Sequence, residues 1–209
     1  MPLNVYKFTI GPFAVNNYLV HAGGSKQAIL IDAGDDPDAI LQKISPLGLE
    51  LVYLVNTHGH GDHISGNNKI FNATGAKLLI HKLDEPFLTN PELNLSVFFG
   101  IELFSPPADR LLRDGDKISV ENLEFRVIHT PGHTPGHISL VYQNHAFVGD
   151  VIFRGSIGRT DLPQASNQQL IRSIRDKIYS LPDDTILYPG HGPNTIVGAE
   201  KQNNPYVSV

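Results

Sequence analysis

The chain contains no cysteine, no tryptophan and a single methionine. Without cysteine it can form no disulfide, present no thiolate nucleophile and offer no sulfur ligand to a metal. No apolar run approaches the roughly 20 residues needed to cross a bilayer as a helix, and the opening MPLNVYKFTIGPF lacks the apolar stretch of a secretory leader. A cytoplasmic protein with no membrane partner is the expectation. Basic clusters are missing as well: 16 Lys and Arg against 21 Asp and Glu leave a formal charge of −5, with a pI near 6.0. That balance argues against nucleic acid, whose phosphates demand grouped cations. A chain of 209 residues, 41% hydrophobic and 18% charged, can bury one good core but not two, which predicts a single domain over 1–209.

Hydrophobic patterning and turn residues divide the chain into short strands and few helices. Three strands are expected first, Val5 to Ile10, Asn17 to Ala22 and Ala28 to Asp32, separated by Gly11, Pro12 and Asn16 and then by Gly23, Gly24 and Ser25. Asp36, Pro37 and Asp38 open a helix carrying Ile40, Leu41 and Ile44, stopped by Pro46 and Gly48. An uninterrupted apolar strand, Leu51 to Asn56, precedes a short helix over Ser65 to Thr74 and a strand from Lys77 to His81. Asp84 to Arg110 is rich in proline and carries exposed-looking aromatics, Phe87, Phe98, Phe99 and Phe104, suited either to a pocket or to packing; it reads as a long irregular connection. Strands follow at Lys117 to Val120, Leu123 to His129, Ile138 to Gln143 and Ala146 to Gly149, then a second irregular stretch from Ile152 to Gln164. A helix from Asn167 to Ser180 has Ser166 and Gln169 as a capping box; a strand Thr185 to Tyr188 and a helix around Val197 to Asn203 complete the order. Each half thus runs strands, helix, strand, which predicts two sheets face to face with helices outside and a site along a shared rim.

That rim is where the chemistry concentrates. THGHGDH, Thr57 to His63, places three imidazoles and a carboxylate directly after the apolar strand, a nitrogen and oxygen donor set suited to zinc or iron. His58 and His60, two apart, leave one side of extended backbone, so these ligands are expected on a strand end or loop rather than on a helix, where metal histidines are usually four apart. Further donors sit at strand ends or in Gly/Pro turns: His129, His133 and His137 in HTPGHTPGH, Asp150 in VGD, Asp161 in GRTDLP and His191 in YPGHG.

THGHGDH, TPGHTPG, GD and PGHG, in that order, resemble the metallo-β-lactamase superfamily, and GDVIFRGSIGRTDLP is similar to its glyoxalase II-like, hydroxyacylglutathione hydrolase-like branch. The resemblance spans Asp32 to His191. It implies an αβ/βα four-layer sandwich, an α/β fold of two mixed sheets. It further implies two divalent ions, zinc first with iron or manganese as alternatives: His58, His60 and His133 for one, Asp62, His63 and His191 for the other, Asp150 and a hydroxide bridging. Asp62 and Asp150 would also relay protons. Such a pair of ions supplies the nucleophilic water, in keeping with the absence of cysteine and of a GxSxG elbow.

The expected activity is hydrolysis of a small-molecule thioester such as S-lactoylglutathione by a monomer or homodimer. The helical glutathione-binding region that glyoxalase II proper carries after its PGH motif is not expected. The alternatives are a persulfide dioxygenase with one iron, whose pattern runs closer to RGCGRTDF than to the RGSIGRTDLP present here, or a lactonase. Arg154, Arg159 and Lys82 are candidates for a substrate carboxylate. Asp32 and His137 are expected to support the ligands from behind, His129 to be a satisfied strand residue, Asp161 a loop residue, and His21, His81 and His145 to be surface or structural.

Overall fold

The computed structural model describes residues 2–208. Strands β1 (Leu3–Ile10), β2 (Val15–Ala22) and β3 (Gln27–Ile31) form the expected meander. Beyond β3 the sheet turns parallel, adding β4 (Glu50–Val55), β5 (Lys77–His81) and β6 (Arg110–Leu112) in sequence order. The crossovers that parallel pairing requires are α1 (Asp38–Leu47) between β3 and β4, and α2 (Gly61–Ile64) with α3 (Asn67–Thr74) between β4 and β5. Pro46 does not stop α1 as the sequence suggested. It rides in the last turn, and the helix ends at Gly48, whose φ of 61° is the left-handed cap that glycine adopts without strain.

The second sheet contains β7 (Lys117–Val120), β8 (Leu123–His129), β9 (Ile138–Tyr142), β10 (His145–Gly149), β13 (Ile186–Pro189) and β14 (Thr195–Ile196). Its order is β14-β13-β10-β9-β8-β7, antiparallel except for β10 with β13. Helix α4 (Asn167–Ser173), capped by Ser166, makes that one parallel crossover, and α5 (Val197–Asn203) follows β14. The expected helix continues past α4 only in π geometry, Ile174–Ile178.

Side-chain alternation assigns the layers. Tyr18, Val20, Ile29 and Ile31 meet Phe125, Val127, Leu140 and Phe147 between the sheets. Leu19, Leu30 and Leu54 face the opposite way, onto Ile40, Ile44 and Ile70 of α1 and α3. Ala146 and Val148 likewise pack on Leu170 and Ile174 of the α4 segment. Helix, sheet, sheet and helix are therefore stacked in four layers, each sheet covered on both faces, and the αβ/βα sandwich expected from the sequence is found.

The carboxyl ends of β4, β8, β10 and β13 share one rim. The sheets are tied together there by Ile138 N–H to the Thr57 carbonyl (2.8 Å) and Asn16 N–H to the Gly190 carbonyl (2.7 Å). Three short pieces were not legible as strands: β6, β14 and the hairpin β11 (Ile152–Phe153) with β12 (Ser156–Ile157) inside the stretch read as irregular. Among the described residues no helix is long and apolar enough to cross a membrane.

Candidate metal centre

The expected donors arrive at that rim from four strand ends, those of β4, β8, β10 and β13. His58 and His60 follow β4 in the loop that leads into α2, His58 in a bend and His60 in extended backbone, so they lie off a helix as their spacing predicted. Asp62 and His63, by contrast, lie in the single turn of α2, not in a loop; Gly61 opens that turn, its N–H bonded to the Asn94 carbonyl at 2.7 Å. His133 sits in the β8–β9 connection, Asp150 one residue past β10, and His191 two residues past β13.

The side chains converge on one volume. Three overlapping groups each offer ligand atoms within 4.8 Å of one another: His58, His60 and His133; His58, His63 and Asp150; Asp62, His63 and His191. His60 Nδ1 lies 2.9 Å from His133 Nε2, and His63 Nε2 lies 3.4 Å from His191 Nε2. Asp150 stands between the pairs, with Oδ2 3.6 Å from His133 Nε2 and 3.4 Å from His191 Nε2, and Oδ1 3.5 Å from His63 Nε2. His58 Nε2 and Asp150 Oδ1 are buried with no hydrogen-bond partner. Buried polar atoms are nearly always satisfied, so lone pairs left bare in a nitrogen and oxygen cluster fit divalent cations.

Behind these donors a layer of hydrogen bonds fixes each ring. Asp32 accepts from Thr57 N–H (2.7 Å), the Thr57 hydroxyl (2.9 Å) and His63 Nδ1 (2.9 Å). It does so from a left-handed backbone, φ 59°, which aspartate tolerates better than most residues but which still carries strain. His133 Nδ1 bonds the Arg159 carbonyl at 2.8 Å and His191 Nδ1 the Phe13 carbonyl at 3.0 Å. Asp150 N–H donates to His137 Nε2 (3.0 Å), so His137 carries its proton on Nδ1, toward the Thr130 hydroxyl 3.0 Å away. His137 therefore supports the centre without touching it. Gly190 is obligatory for space: a Cβ there would overlap Asp150 Oδ1 and come within 2.7 Å of His63 Cε1.

Charge divides the cluster. Burial, reinforced by neighbouring imidazoles, holds His58 well below its ordinary value and His60 at about 3, so both stay neutral and keep their lone pairs. Burial also opposes protonation of His63 and His191, but Asp62 and Asp150 beside them overcome it and raise both. The same cations hold Asp150 far below the usual carboxylate range against its burial.

Asp84 is a component for which the sequence carries no motif. Buried in the proline-rich segment, it accepts from Thr134 Oγ1 (2.6 Å), Gly136 N–H (2.6 Å) and Gly59 N–H (3.0 Å), tying the loop of His58 and His60 to the loop of His133. Burial lifts its carboxyl to about 6 against those three bonds.

The centre forms the floor of a cleft of about 930 Å³ whose lining includes Phe13, Phe98, Phe99 and Ile101. Phe87, expected to be exposed, is instead buried beneath Gly59, where an added Cβ would overlap the Phe87 Cβ. Arg159 lines the cleft, paired with Asp161 through two bonds of 2.8 and 2.9 Å. Arg154 does not; its guanidinium donates to the Asn194 carbonyl and lines a separate cleft beside α5. His129 is satisfied by the Pro135 carbonyl at 2.8 Å and stacks on the buried His81 at 4.2 Å.

A family model described as the metallo-beta-lactamase superfamily matches residues 10–191. The chain belongs to that superfamily. It is 37% identical over 189 residues to the Haemophilus influenzae protein named hydroxyacylglutathione hydrolase GloC, covering 88% of each. The crystal structure of the BLEG-1 B3 metallo-beta-lactamase superposes with a TM-score of 0.94 at 34% identity, over 99% of this chain and 100% of that one. TTHA1623, crystallised in a di-iron-bound form, gives a TM-score of 0.85 at 35% identity, over 97% and 100%. Membership in the superfamily, with the donor groups in place, makes this chain a metal-dependent hydrolase.

Proposed function

We propose that the chain is a binuclear thioester hydrolase of the glyoxalase II type, cleaving acyl-glutathione substrates such as S-lactoylglutathione. His58, His60 and His133 would hold one ion, Asp62, His63 and His191 the second, and Asp150 would serve both. The observation that carries this reading is the position of Asp150, which faces His133 on one side and His63 and His191 on the other while keeping a bare buried oxygen. Zinc is the first choice of metal for such donors, and the similar TTHA1623 in its di-iron-bound form supports iron as an alternative.

A pair of bound divalent ions lowers the pKa of a water to about 7 and polarises an acyl carbonyl. The protein's own contribution is orientation and proton management. Asp32, the Arg159 carbonyl and the Phe13 carbonyl each occupy the rear nitrogen of a histidine, turning its other nitrogen inward. Asp62, partly exposed at the cleft floor, places Oδ2 3.4 Å from His191 Nε2 and can take up a proton released there. A thiolate leaving group, with a solution pKa near 8.5, departs without a strong acid. The cleft has no cysteine to form a covalent intermediate.

Metal analysis of protein purified without added metal, together with thiol release from S-lactoylglutathione and oxygen uptake with glutathione persulfide, tests the proposal. Two ions per chain and thiol release are expected. One iron with oxygen uptake and no thiol release would replace it with the dioxygenase reading, and lactone opening without thioester cleavage with the lactonase.

A further inference from the structure

Four large apolar side chains stand exposed on one wall of the metal cleft: Phe98 (70%), Phe99 (60%), Ile101 (55%) and Phe13 (44%). They come from two distant segments, the β1–β2 turn and the 3-10 turn Ser96–Phe99 with the residues just after it, and meet where the Phe13 and Phe99 rings pack edge to face at 4.7 Å. The wall is continuous with the metal floor, since the same cavity is lined by His60, Asp62 and Asp150. Its charged lining is unfavourable to an anionic ligand: Asp35 and Asp161 join the two carboxylates of the centre, and Arg159 is the one Lys or Arg among the described residues lining it, already paired with Asp161. Away from the metals, a thiol that carries carboxylates finds no free cation.

We infer that the Phe13–Phe99 wall is a specificity subsite for an extended alkyl or aryl group on the substrate, so that the natural thioester is recognised by apolar surface rather than by the carboxylates of its thiol. The inference rests on metal-dependent hydrolysis at this cleft and narrows its substrate class, favouring a thioester with an extended apolar group over S-lactoylglutathione itself. The reaction itself is unchanged: water oxygen joins the acyl carbon, the carbon–sulfur bond breaks, the sulfur leaves as thiolate and the released proton goes to solvent. Each methylene laid on the wall strengthens binding by up to about fourfold, the ratio that corresponds to roughly 0.8 kcal/mol per buried methylene. The wall is contiguous with the reacting centre, so either the acyl chain or the leaving thiol can supply that group, and two substrate series separate them.

The primary test is calorimetric binding of linear carboxylates, butanoate to octanoate, to the metal-loaded protein and to its Phe99→Ala and Ile101→Ala variants. Both residues are more than half exposed, so neither truncation threatens the fold. The dissociation constant should fall by about two- to fourfold per methylene, and each variant should flatten the gradient. A flat series in the parent, or a gradient that both variants retain, overturns the inference. Turnover then locates the occupant: rates rising along acyl-glutathiones of increasing chain length place it on the acyl side, and rates rising along acetyl thioesters of increasingly apolar thiols on the leaving side. If no thioester is cleaved, the thioester-hydrolase reading fails while the binding series still decides the subsite. Self-association of the parent that Phe99→Ala abolishes, with no chain-length gradient, would assign the wall to a second copy of the chain and also overturn it.

Discussion

Replacing Asp84 by Asn changes one atom and sets two opposed effects against each other. The carboxyl Oδ2 accepts from Gly59 N–H and Thr134 Oγ1, and Oδ1 accepts from Gly136 N–H. An amide with its oxygen in the Oδ2 position keeps two of these bonds and turns a donor toward Gly136 N–H, costing about 1–3 kcal/mol for buried donors left unpaired. The substitution also removes a carboxylate that burial penalises. With the pKa lifted from 3.8 to about 6, the folded chain binds a proton that the unfolded chain has released. Parent stability therefore falls as pH rises through that window, by a total of about 3 kcal/mol. At about pH 7 the two effects nearly cancel, and Asp84→Asn should lie within about 2 kcal/mol of the parent. At about pH 4.5 the parent has regained about 2 kcal/mol, which the variant cannot, so the gap should widen by that amount. Urea unfolding of chelator-treated parent and variant at both pH values measures it, and subtracting one from the other removes the histidines common to both. A gap independent of pH would show that the three hydrogen bonds, not burial, set the charge of Asp84.

Three further outcomes follow from the same geometry. Protons on His63 and His191, held there by Asp62 and Asp150, compete with the ion that those residues would share. Affinity for the second equivalent of zinc should thus rise by about tenfold per pH unit for each proton displaced above pH 6.5, as read by chelator competition. The metal-free fold has the opposite dependence, losing the stability of those ion pairs as pH rises through the raised histidine values. Gly190→Ala, whose new Cβ falls on Asp150 Oδ1, should retain far-UV circular dichroism but lose about 100-fold or more in hydrolysis, since displacement of about 1 Å is worth that much. Asp32→Asn, which weakens the support of His63 Nδ1, should lower metal affinity by about 10- to 100-fold in an equilibrium titration.

The long strands and the donors were legible from sequence for the same reason: each is a local pattern. Alternation in β8 and an apolar run in β4 announce strands, and Gly/Pro turns after strand ends announce donors freed from regular structure. What escaped was non-local or too short. β11, β12 and β14 are two residues each and exist only through their partners. β6 owes its strand to parallel pairing with β5 after a long excursion. Asp84 was invisible because two of its three partners are backbone N–H groups of glycines, which leave no side-chain signature. The direction of Arg154 was not legible because it is set by a carbonyl 40 residues downstream. His63 and Asp62 entered a helical turn because Asn94, from the irregular segment, receives the Gly61 N–H that starts it.

The most direct measurement is the metal content of the purified protein, taken alongside His133→Ala and His191→Ala variants by elemental analysis. Two divalent ions per chain in the parent, with one retained in each variant, are expected if the two groups flanking Asp150 hold separate ions. A single ion in the parent, lost together in both variants, would contradict the binuclear centre.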